Sequence, residues 1–229
     1  MYFDWTYIVF VLPAMLIAMW AQYKVNSTFK KYSRVYTDRR ITGREAARKI
    51  LDANGLTGVA VERISGNLTD HFDPKTNVIR LSDAVYDSPS VAAVGVAAHE
   101  AGHAVQYAVG YSPMKLRAAI IPITNIGSNA AIPLVLLGIL FSFYPLAYAG
   151  VILFGTVVLF QLVTLPVEFN ASRRAITALR GSGSFTEKEL DGSKKVLSAA
   201  AMTYLAALLT AIGNMLRLIV IISGRRDKR

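Results

Sequence analysis

The chain has 229 residues, of which 53% are hydrophobic and 17% are charged, and it carries a formal net charge of +10 and no cysteine. Soluble domains are about 25% charged, so the composition favours a membrane protein and excludes a disordered chain. Without cysteine there can be no disulfide scaffold and no thiol, iron–sulfur or cysteine–zinc site, and any metal must be held by His, Asp or Glu. The positive charge predicts cationic flanks of membrane segments rather than nucleic-acid binding, because no nucleic-acid motif is present.

The first predicted element is a transmembrane anchor in residues 1–23. The run from Tyr7 to Tyr23 carries no charge and is close to the ~20 residues that cross a bilayer core. Asp4 precedes this run, and lysines and arginines follow it from Lys24 onward. Because positive residues collect on the cytoplasmic side, the N-terminus is expected outside and the end of the helix in the cytoplasm.

Residues 24–117 are predicted to form the first part of a cytoplasmic domain. Thr42 and Glu45 match a capping box at the start of a helix, and Gly55 is its predicted end. Val59 and its neighbours show the apolar–polar alternation of a strand. The predicted order is therefore a helix followed by strands.

A β-hairpin and a long helix are predicted next. The residues from Asp73 to Asn77 are typical of a turn, and they separate two strands at Leu68–Phe72 and Val78–Leu81. The second of these strands is expected to pair with an extended substrate, as edge strands do. Ser88-Pro89 is interpreted as the N-cap and first residue of an apolar helix that runs to Val109.

A second apolar block, residues 118–165, contains no charged residue. Tyr144-Pro145 divides it into runs of about 25 and 20 residues, which predicts a transmembrane helical hairpin. Its basic flanks indicate that both ends are cytoplasmic, so residues 166–198 are expected to form the second part of the cytoplasmic domain, beginning with a helix at Val167–Arg180. The last block, residues 199–229, is predicted as an apolar helix with a basic tail that either spans the membrane or lies in its interface.

The residues that carry chemistry are concentrated in one motif, His99-Glu100-Ala101-Gly102-His103. Two histidines four residues apart lie on one face of a helix, where both imidazoles can reach the same metal ion. Glu100 lies one step round the helix, where it can take a proton from metal-activated water. Gly102 leaves room for another backbone or a substrate to approach. This HExxH pattern predicts a Zn²⁺ site.

A catalytic zinc needs a third protein ligand. His71 is the remaining histidine, and Glu168 follows the predicted membrane hairpin. Glu168 is favoured, because a glutamate on a second helix is the common arrangement in His-His-Glu zinc peptidases. His71 is interpreted as an alternative ligand or as a donor to the reacting carbonyl oxygen. The predicted metal ligands are therefore His99, His103 and Glu168, and the predicted catalytic residues are Glu100 and His71.

Three stretches of the chain, Leu68–Pro74, Ala97–Ala104 and Leu165–Ala175, together resemble a known family. They are similar to the YugP-like family of bacterial membrane zinc metallopeptidases, and the resemblance covers nearly the whole chain. It implies a neutral zinc peptidase with a gluzincin-like site, in which the two histidines of the motif bind the metal and its glutamate is the base. The expected fold is α+β and predominantly helical, an integral membrane protein whose zincin-like cytoplasmic domain is split by a transmembrane helical hairpin.

The more distant HtpX-type and prenyl-protein proteases have a Glu-x-x-Ala-Asp pattern at the third ligand. This chain has Ser172 where they have the aspartate. The contact that the aspartate would make to a ligand histidine is therefore expected from Ser172, more weakly, or from another acid such as Asp70.

Two other functions compete with that of a membrane-bound zinc metalloendopeptidase. One is a membrane scaffold or partner-binding protein with a structural zinc, against which the intact Glu100 argues. The other is a site-2-type intramembrane protease, for which Leu190-Asp191-Gly192 would supply an aspartate, but the flanking residues are too charged for a membrane interior. Ser184 and Glu187 instead match the capping box of an exposed helix.

The expected location is the bacterial inner membrane, with several membrane passes and the active site on the cytoplasmic side. The expected partners are a protein or peptide substrate, with membrane proteins included, and the lipid bilayer. The apolar hairpin surface also suggests a regulatory membrane partner or a second copy of the chain. Nucleic acid is not expected.

Overall fold

The computed structural model describes residues 5–226, apart from the side chains of Arg225 and Arg226. Asp4 and the end of the predicted basic tail lie outside the described residues. The described part is mostly helical, as predicted, with one small sheet. A π-helical turn, Tyr7–Val11, leads into the first helix, and the elements are then α1 (Leu12–Tyr32), α2 (Gly43–Ala53), β1 (Ala60–Ile64), β2 (His71–Asp73), β3 (Val78–Ser82), α3 (Val91–Ala108), α4 (Ser112–Leu140), α5 (Tyr144–Gly181) and α6 (Glu187–Arg226).

Within residues 5–226, four helical segments are long and apolar enough to cross a membrane. They are Tyr7–Tyr32, Ser112–Leu140, Tyr144–Gly181 and Glu187–Gly224. The prediction of membrane helices is confirmed by the length and composition of these segments. The C-terminal helix is among those long enough to span a membrane. Residues Val167–Arg180 are helical as predicted, but the predicted start at Val167 is wrong, because α5 begins at Tyr144 and continues through Pro166. A proline removes one N–H donor, and an apolar helix tolerates this loss where its neighbours satisfy the freed group.

The chain folds into two compact units. Among the described residues, the apolar-helix unit consists of the chain up to Ala21, Lys115–Pro166 and the chain from Met202 onward, and the α/β unit consists of Gln22–Met114 and Val167–Ala201. In the apolar-helix unit α4 and α5 approach closely, since a Cβ built on Gly150 would lie 2.7 Å from the carbonyl oxygen of Ala131. Contacts through small residues are typical of helices that pack in lipid.

The core of the α/β unit forms where α2 packs on α3. The predicted capping box begins α2: the Thr42 hydroxyl accepts a hydrogen bond from the Glu45 N–H (3.3 Å), and the Glu45 carboxylate accepts one from the Thr42 N–H (2.9 Å). Gly55 follows the helix with a φ of 71°, the left-handed conformation typical of helix ends. Small and apolar side chains fill the contact: Ala46, Ala47, Ile50, Leu51, Ala97, Ala98 and Ala101.

The sheet has the strand order β1-β3-β2. β2 and β3 form the predicted antiparallel hairpin, with Phe72 opposite Ile79, but its first strand is His71–Asp73 and not Leu68–Phe72. β1 pairs with the other side of β3 in parallel. β3 is therefore the central strand, and the prediction that it pairs with an extended substrate is wrong. The edge that the local hairpin leaves free on β3 is taken by β1, a strand from an earlier part of the chain.

The long apolar helix begins two residues later than predicted. Ser90 is the N-cap of α3, and its hydroxyl accepts a hydrogen bond from the Ala93 N–H (3.2 Å). The Ser88 hydroxyl, the predicted cap, instead donates to the Ser90 hydroxyl (3.0 Å). Ser90 therefore caps the helix, and Ser88 donates a hydrogen bond to the capping hydroxyl.

The capping box of α6 is also displaced by two residues. The Glu189 carboxylate accepts a hydrogen bond from the Thr186 N–H (2.6 Å), and the Thr186 hydroxyl accepts one from the Glu189 N–H (3.4 Å). Glu187, which was predicted for this role, forms an ion pair with Arg180 (3.0 Å). Ser184 is therefore not the cap.

Candidate metal centre

Two histidines of α3 meet one glutamate of α5 in the α/β unit. The Nε2 atoms of His99 and His103 lie 3.1 Å apart. The Oε2 atom of Glu168 lies 3.2 Å from the first of these nitrogens and 3.4 Å from the second. Glu168 is only 3% exposed. The structure thus brings together all three predicted ligands in a group that could hold a metal ion.

The chemistry of these three atoms fits a cation. Two imidazole lone pairs and a carboxylate repel each other at such distances unless a positive charge lies among them. Burial lowers the pKa of His103, but the hydrogen bond to Glu168 and the nearby charge of Glu100 outweigh it and raise this pKa above its ordinary value. Histidine nitrogen and carboxylate oxygen are ligands that zinc takes in proteins. The donor set therefore fits Zn²⁺.

Gly102 lets the two helices approach at this point. A Cβ built on Gly102 would lie 2.7 Å from the carbonyl oxygen of Ala171 in α5. Real Cβ atoms essentially never come so near a backbone atom, so a larger residue would push α5 away. The close approach predicted at Gly102 is made by another backbone.

The ring of His103 is held by Gln106. The His103 Nδ1 atom lies 3.0 Å from the Gln106 Oε1 atom. The Gln106 Nε2 atom donates to the carbonyl oxygen of Val167 (2.8 Å) and to the Asn170 Oδ1 atom (3.0 Å). Because the amide nitrogen already has two acceptors, its oxygen must face the ring, and His103 must donate from Nδ1. This tautomer leaves the Nε2 lone pair for a metal.

Gln106 and Asn170 were not predicted from the sequence. Gln106 is fully buried, and a buried polar residue needs hydrogen-bond partners. It lies one turn after His103, in a helix whose other side chains are mostly apolar. That contrast is the signal that could have identified it.

The ring of His99 is held by a single hydroxyl group on α5. Its Nδ1 atom lies 3.1 Å from the Ser172 hydroxyl, so this serine occupies the expected place of the aspartate. Asp70, the alternative, instead accepts hydrogen bonds from the Ser82 N–H (2.7 Å) and hydroxyl (2.9 Å). Burial raises the pKa of Asp70, and these hydrogen bonds only partly oppose that shift.

Glu100 lies beside the edge strand β2. Its Oε2 atom accepts a hydrogen bond from the Phe72 N–H (3.0 Å), and the residue is 8% exposed. Tyr107, seven residues further along α3, packs against the Phe72 ring with the ring centroids 6.0 Å apart. The Phe72 N–H of β2 thus donates to Glu100, and the ring pair of Phe72 and Tyr107 lies on the same side of α3 as Glu100.

His71 and Asp191 lie outside the ligand group. The His71 Nδ1 atom lies 2.8 Å from the carbonyl oxygen of Thr69, so this ring is held by its own loop. Asp191, the residue of the site-2 interpretation, is paired with Lys195 on α6 (2.6 Å). The three residues whose ligand atoms converge are His99 and His103 of the HExxH motif and Glu168 of α5.

Comparison with known proteins agrees with this chemistry. A family model described as "Putative neutral zinc metallopeptidase" matches residues 7–223. The chain belongs to this neutral zinc metallopeptidase family. The predicted family is thereby confirmed, and with it zinc as the metal of the family.

The "Putative membrane protease YugP" of Bacillus subtilis (strain 168) is 46% identical over 222 residues, which are 97% of this chain and 99% of that protein. This relative is named as a membrane protease, in keeping with the four helices that could span a membrane in the described part of this chain. No solved structure matches the chain.

Proposed function

We propose that this protein is a membrane-bound zinc endopeptidase that hydrolyses peptide bonds within polypeptides. The observation that carries the proposal is the convergence of His99 and His103 with Glu168, next to a glutamate that is not a member of the ligand group. A structural zinc site needs no such base. Family membership supports the same assignment.

Zinc bound by these ligands would supply a Lewis acid that polarises the scissile carbonyl group and activates water. Glu100 is the proposed general base. Its Oε2 atom is engaged by the Phe72 N–H, and its Oε1 atom has no hydrogen-bond partner in the described part of the chain. Oε1 can therefore accept a proton from water and pass it to the leaving amine.

His71 is proposed as a residue that contacts the reacting carbonyl oxygen. It begins β2, next to the residue whose N–H binds Glu100. Its Nδ1 atom is occupied by the Thr69 carbonyl oxygen, so only Nε2 can face a substrate. To donate from that atom the ring must carry both protons.

The catalytic experiment compares wild type with Glu100→Gln and a matched control, Glu187→Gln, after zinc loading in detergent. The substrate is an unfolded soluble protein, and both cleavage and bound zinc are measured. We expect wild type and the control to cleave, and Glu100→Gln to keep its zinc and lose about 100-fold or more of the rate. Cleavage by all three would contradict Glu100 as the base. Zinc without cleavage in all three would favour the scaffold.

We further propose that the α/β unit is the cytoplasmic domain, in the cell membrane of a bacterium. It consists of two chain segments on either side of α4 and the first part of α5, and both segments are rich in lysine and arginine, which favour the cytoplasmic side. Membrane proteins are proposed as substrates. A regulatory partner and self-association stay predictions.

The absence of cysteine makes the orientation directly measurable. Lys188 is exposed on α6, so Lys188→Cys introduces one accessible thiol. We expect a membrane-impermeant maleimide to label it only after the cells are permeabilised. Labelling of intact cells would place the α/β unit outside and contradict the orientation without affecting the metal centre.

A further inference from the structure

A cavity of about 440 Å³ lies in the α/β unit between α2 and α5. α3 contributes Gly102 and Val105 to its wall. These residues lie two and five positions after Glu100, and at 3.6 residues per turn both point away from the side of the helix that carries Glu100. The volume lies in the range of ~300–1,000 Å³ that is typical of small-molecule sites. The cavity is therefore separate from the proposed catalytic side of α3.

The wall of the cavity combines apolar side chains with positive charge. Ile50 and Phe185 are among its large apolar residues. Lys49, Arg173 and Arg174 also line it, and none of the lining residues is acidic. A small apolar cavity with three cationic side chains is complementary to a ligand that has both an anionic group and an apolar part.

The polar groups of α5 that line this cavity have unused donors. The Arg174 Nε atom donates to the Asn170 Oδ1 atom (2.8 Å). The other four of the ~5 N–H donors of a guanidinium make no hydrogen bond within the described residues. Asn170 Oδ1 also accepts from Gln106, which fixes the orientation of the amide and leaves the Asn170 NH₂ group unpaired in the described chain.

Arg173 and Lys49 are also available. Arg173 is exposed and forms no ion pair or hydrogen bond in the part of the chain that the structure describes. The Lys49 ammonium has one long hydrogen bond, to the Ser184 hydroxyl (3.4 Å). Neither cation is held by a carboxylate at salt-bridge distance within residues 5–226.

We propose that this cavity binds an amphiphilic anion, with its carboxylate or phosphate head group on the cationic side chains and a short apolar chain against Ile50, Val105 and Phe185. Arginine binds both head groups through two parallel hydrogen bonds. The apolar chain would gain affinity from burial. None of His99, His103 and Glu168 lines the cavity. The proposal therefore stands independently of the peptidase reaction.

The test uses the full chain in nanodiscs of zwitterionic lipid, with empty nanodiscs as the blank. Binding of octanoate and octyl phosphate is measured by calorimetry. Acetate, which has no chain, and octylammonium, which has the opposite charge, are the comparison ligands. We expect one or both of the octyl anions to bind with a stoichiometry of one, and the comparison ligands to bind much more weakly. The tighter of the two anions identifies the head group.

The variant K49M/R173M removes two cations that make no contact with the metal centre. The loss of a single hydrogen bond to a charged group is enough for a tenfold change in affinity, so we expect this variant to weaken binding of the anion by about tenfold or more. The matched control is Arg180→Met, which removes a cation of the same helix that pairs with Glu187 outside the cavity, and it should bind as wild type does. Equal binding by K49M/R173M, equal binding of octylammonium, or no binding of either anion would overturn the proposal.

Discussion

The surroundings of the two ligand histidines differ in how firmly they hold the ring. His103 faces the amide of Gln106, whose nitrogen is bound to two oxygens of α5, at 2.8 and 3.0 Å. His99 faces a single hydroxyl, that of Ser172, at 3.1 Å. An amide bound at both ends cannot turn, whereas a hydroxyl rotates freely about its bond.

This difference shows that α5 contributes more to the centre than one ligand. The few residues from Val167 to Ser172 supply a carbonyl oxygen, the Glu168 carboxylate, an amide and a hydroxyl. The HExxH motif supplies two ligands and a base, but their orientation depends on this second segment. Variants that act on one histidine, on the other, or on both can separate these contributions.

The largest effect is expected from Gly102→Ala, which acts on both histidines at once. The new Cβ would press on the Ala171 carbonyl oxygen and move α5 away from α3. We expect a loss of about 1–3 kcal/mol in the free energy of unfolding and a fall in zinc affinity greater than the ~100-fold upper value for a supporting residue. Thermal unfolding and competition with a chelator measure the two effects.

The matched control for this variant is Gly181→Ala. This glycine also belongs to α5, but a Cβ added to it meets nothing within 4 Å. It should leave zinc affinity unchanged. If Gly102→Ala bound zinc as tightly as Gly181→Ala, the close approach of the helices would not be needed for the centre.

Gln106→Leu is expected to act on His103 alone. It leaves the His103 Nδ1 atom and the Val167 carbonyl oxygen without their partner in a buried place. We expect zinc affinity to fall by about 100-fold, at the upper end of the effect of such supporting residues. Chelator competition measures it, and nitrogen chemical shifts of the ring report whether the tautomer has changed.

Ser172→Ala is expected to have a smaller effect, on His99. The hydroxyl is the partner of the Nδ1 atom, and Ser172 is partly exposed whereas Gln106 is buried, so water can replace the hydroxyl. We expect about a tenfold loss of zinc affinity, at the lower end of the same range. A loss as large as that of Gln106→Leu would mean that the two supports are equivalent and would remove the contrast between them.

The smallest effect concerns the turn between β2 and β3, which supports neither histidine. Hydrogen bonds from the Thr76 hydroxyl and the Lys75 N–H lower the pKa of Asp73 to about 2. Because this pKa is depressed on folding, Asp73 stabilises the turn at neutral pH, and the contribution is lost as the pH falls from about 3.8 towards 2. Amide exchange in the hairpin measures the loss.

Asp73→Asn should abolish that pH dependence and leave zinc affinity at neutral pH as in wild type. A large loss of zinc in this variant would show that the hairpin turn and the centre are coupled. It would place part of the support of the metal on the β2 side.

The elements and ligands that sequence reasoning identified depend on neighbours within one or two turns of the chain. The spacing of His99 and His103 fixes their common face once a helix forms. The capping box of Thr42 and Glu45 involves residues three apart, and the apolar runs indicate membrane helices by their length alone. Glu168 was proposed because it follows such a run and because His-His-Glu zinc peptidases commonly take their third ligand from a second helix, and the structure brings it to the histidines.

What only the tertiary structure decided involves residues far apart in the chain. β1 takes the free side of β3, which turned a predicted edge strand into the central one. The hydrogen bonds of Gln106 reach α5 across more than 60 positions, and Gly102 meets a carbonyl group on that same helix. Such contacts follow from how packed elements meet, and no periodicity or local cap encodes them. The sequence by itself therefore determined which residues could bind the metal, while the packing of α5 on α3 decided which groups hold those residues in place.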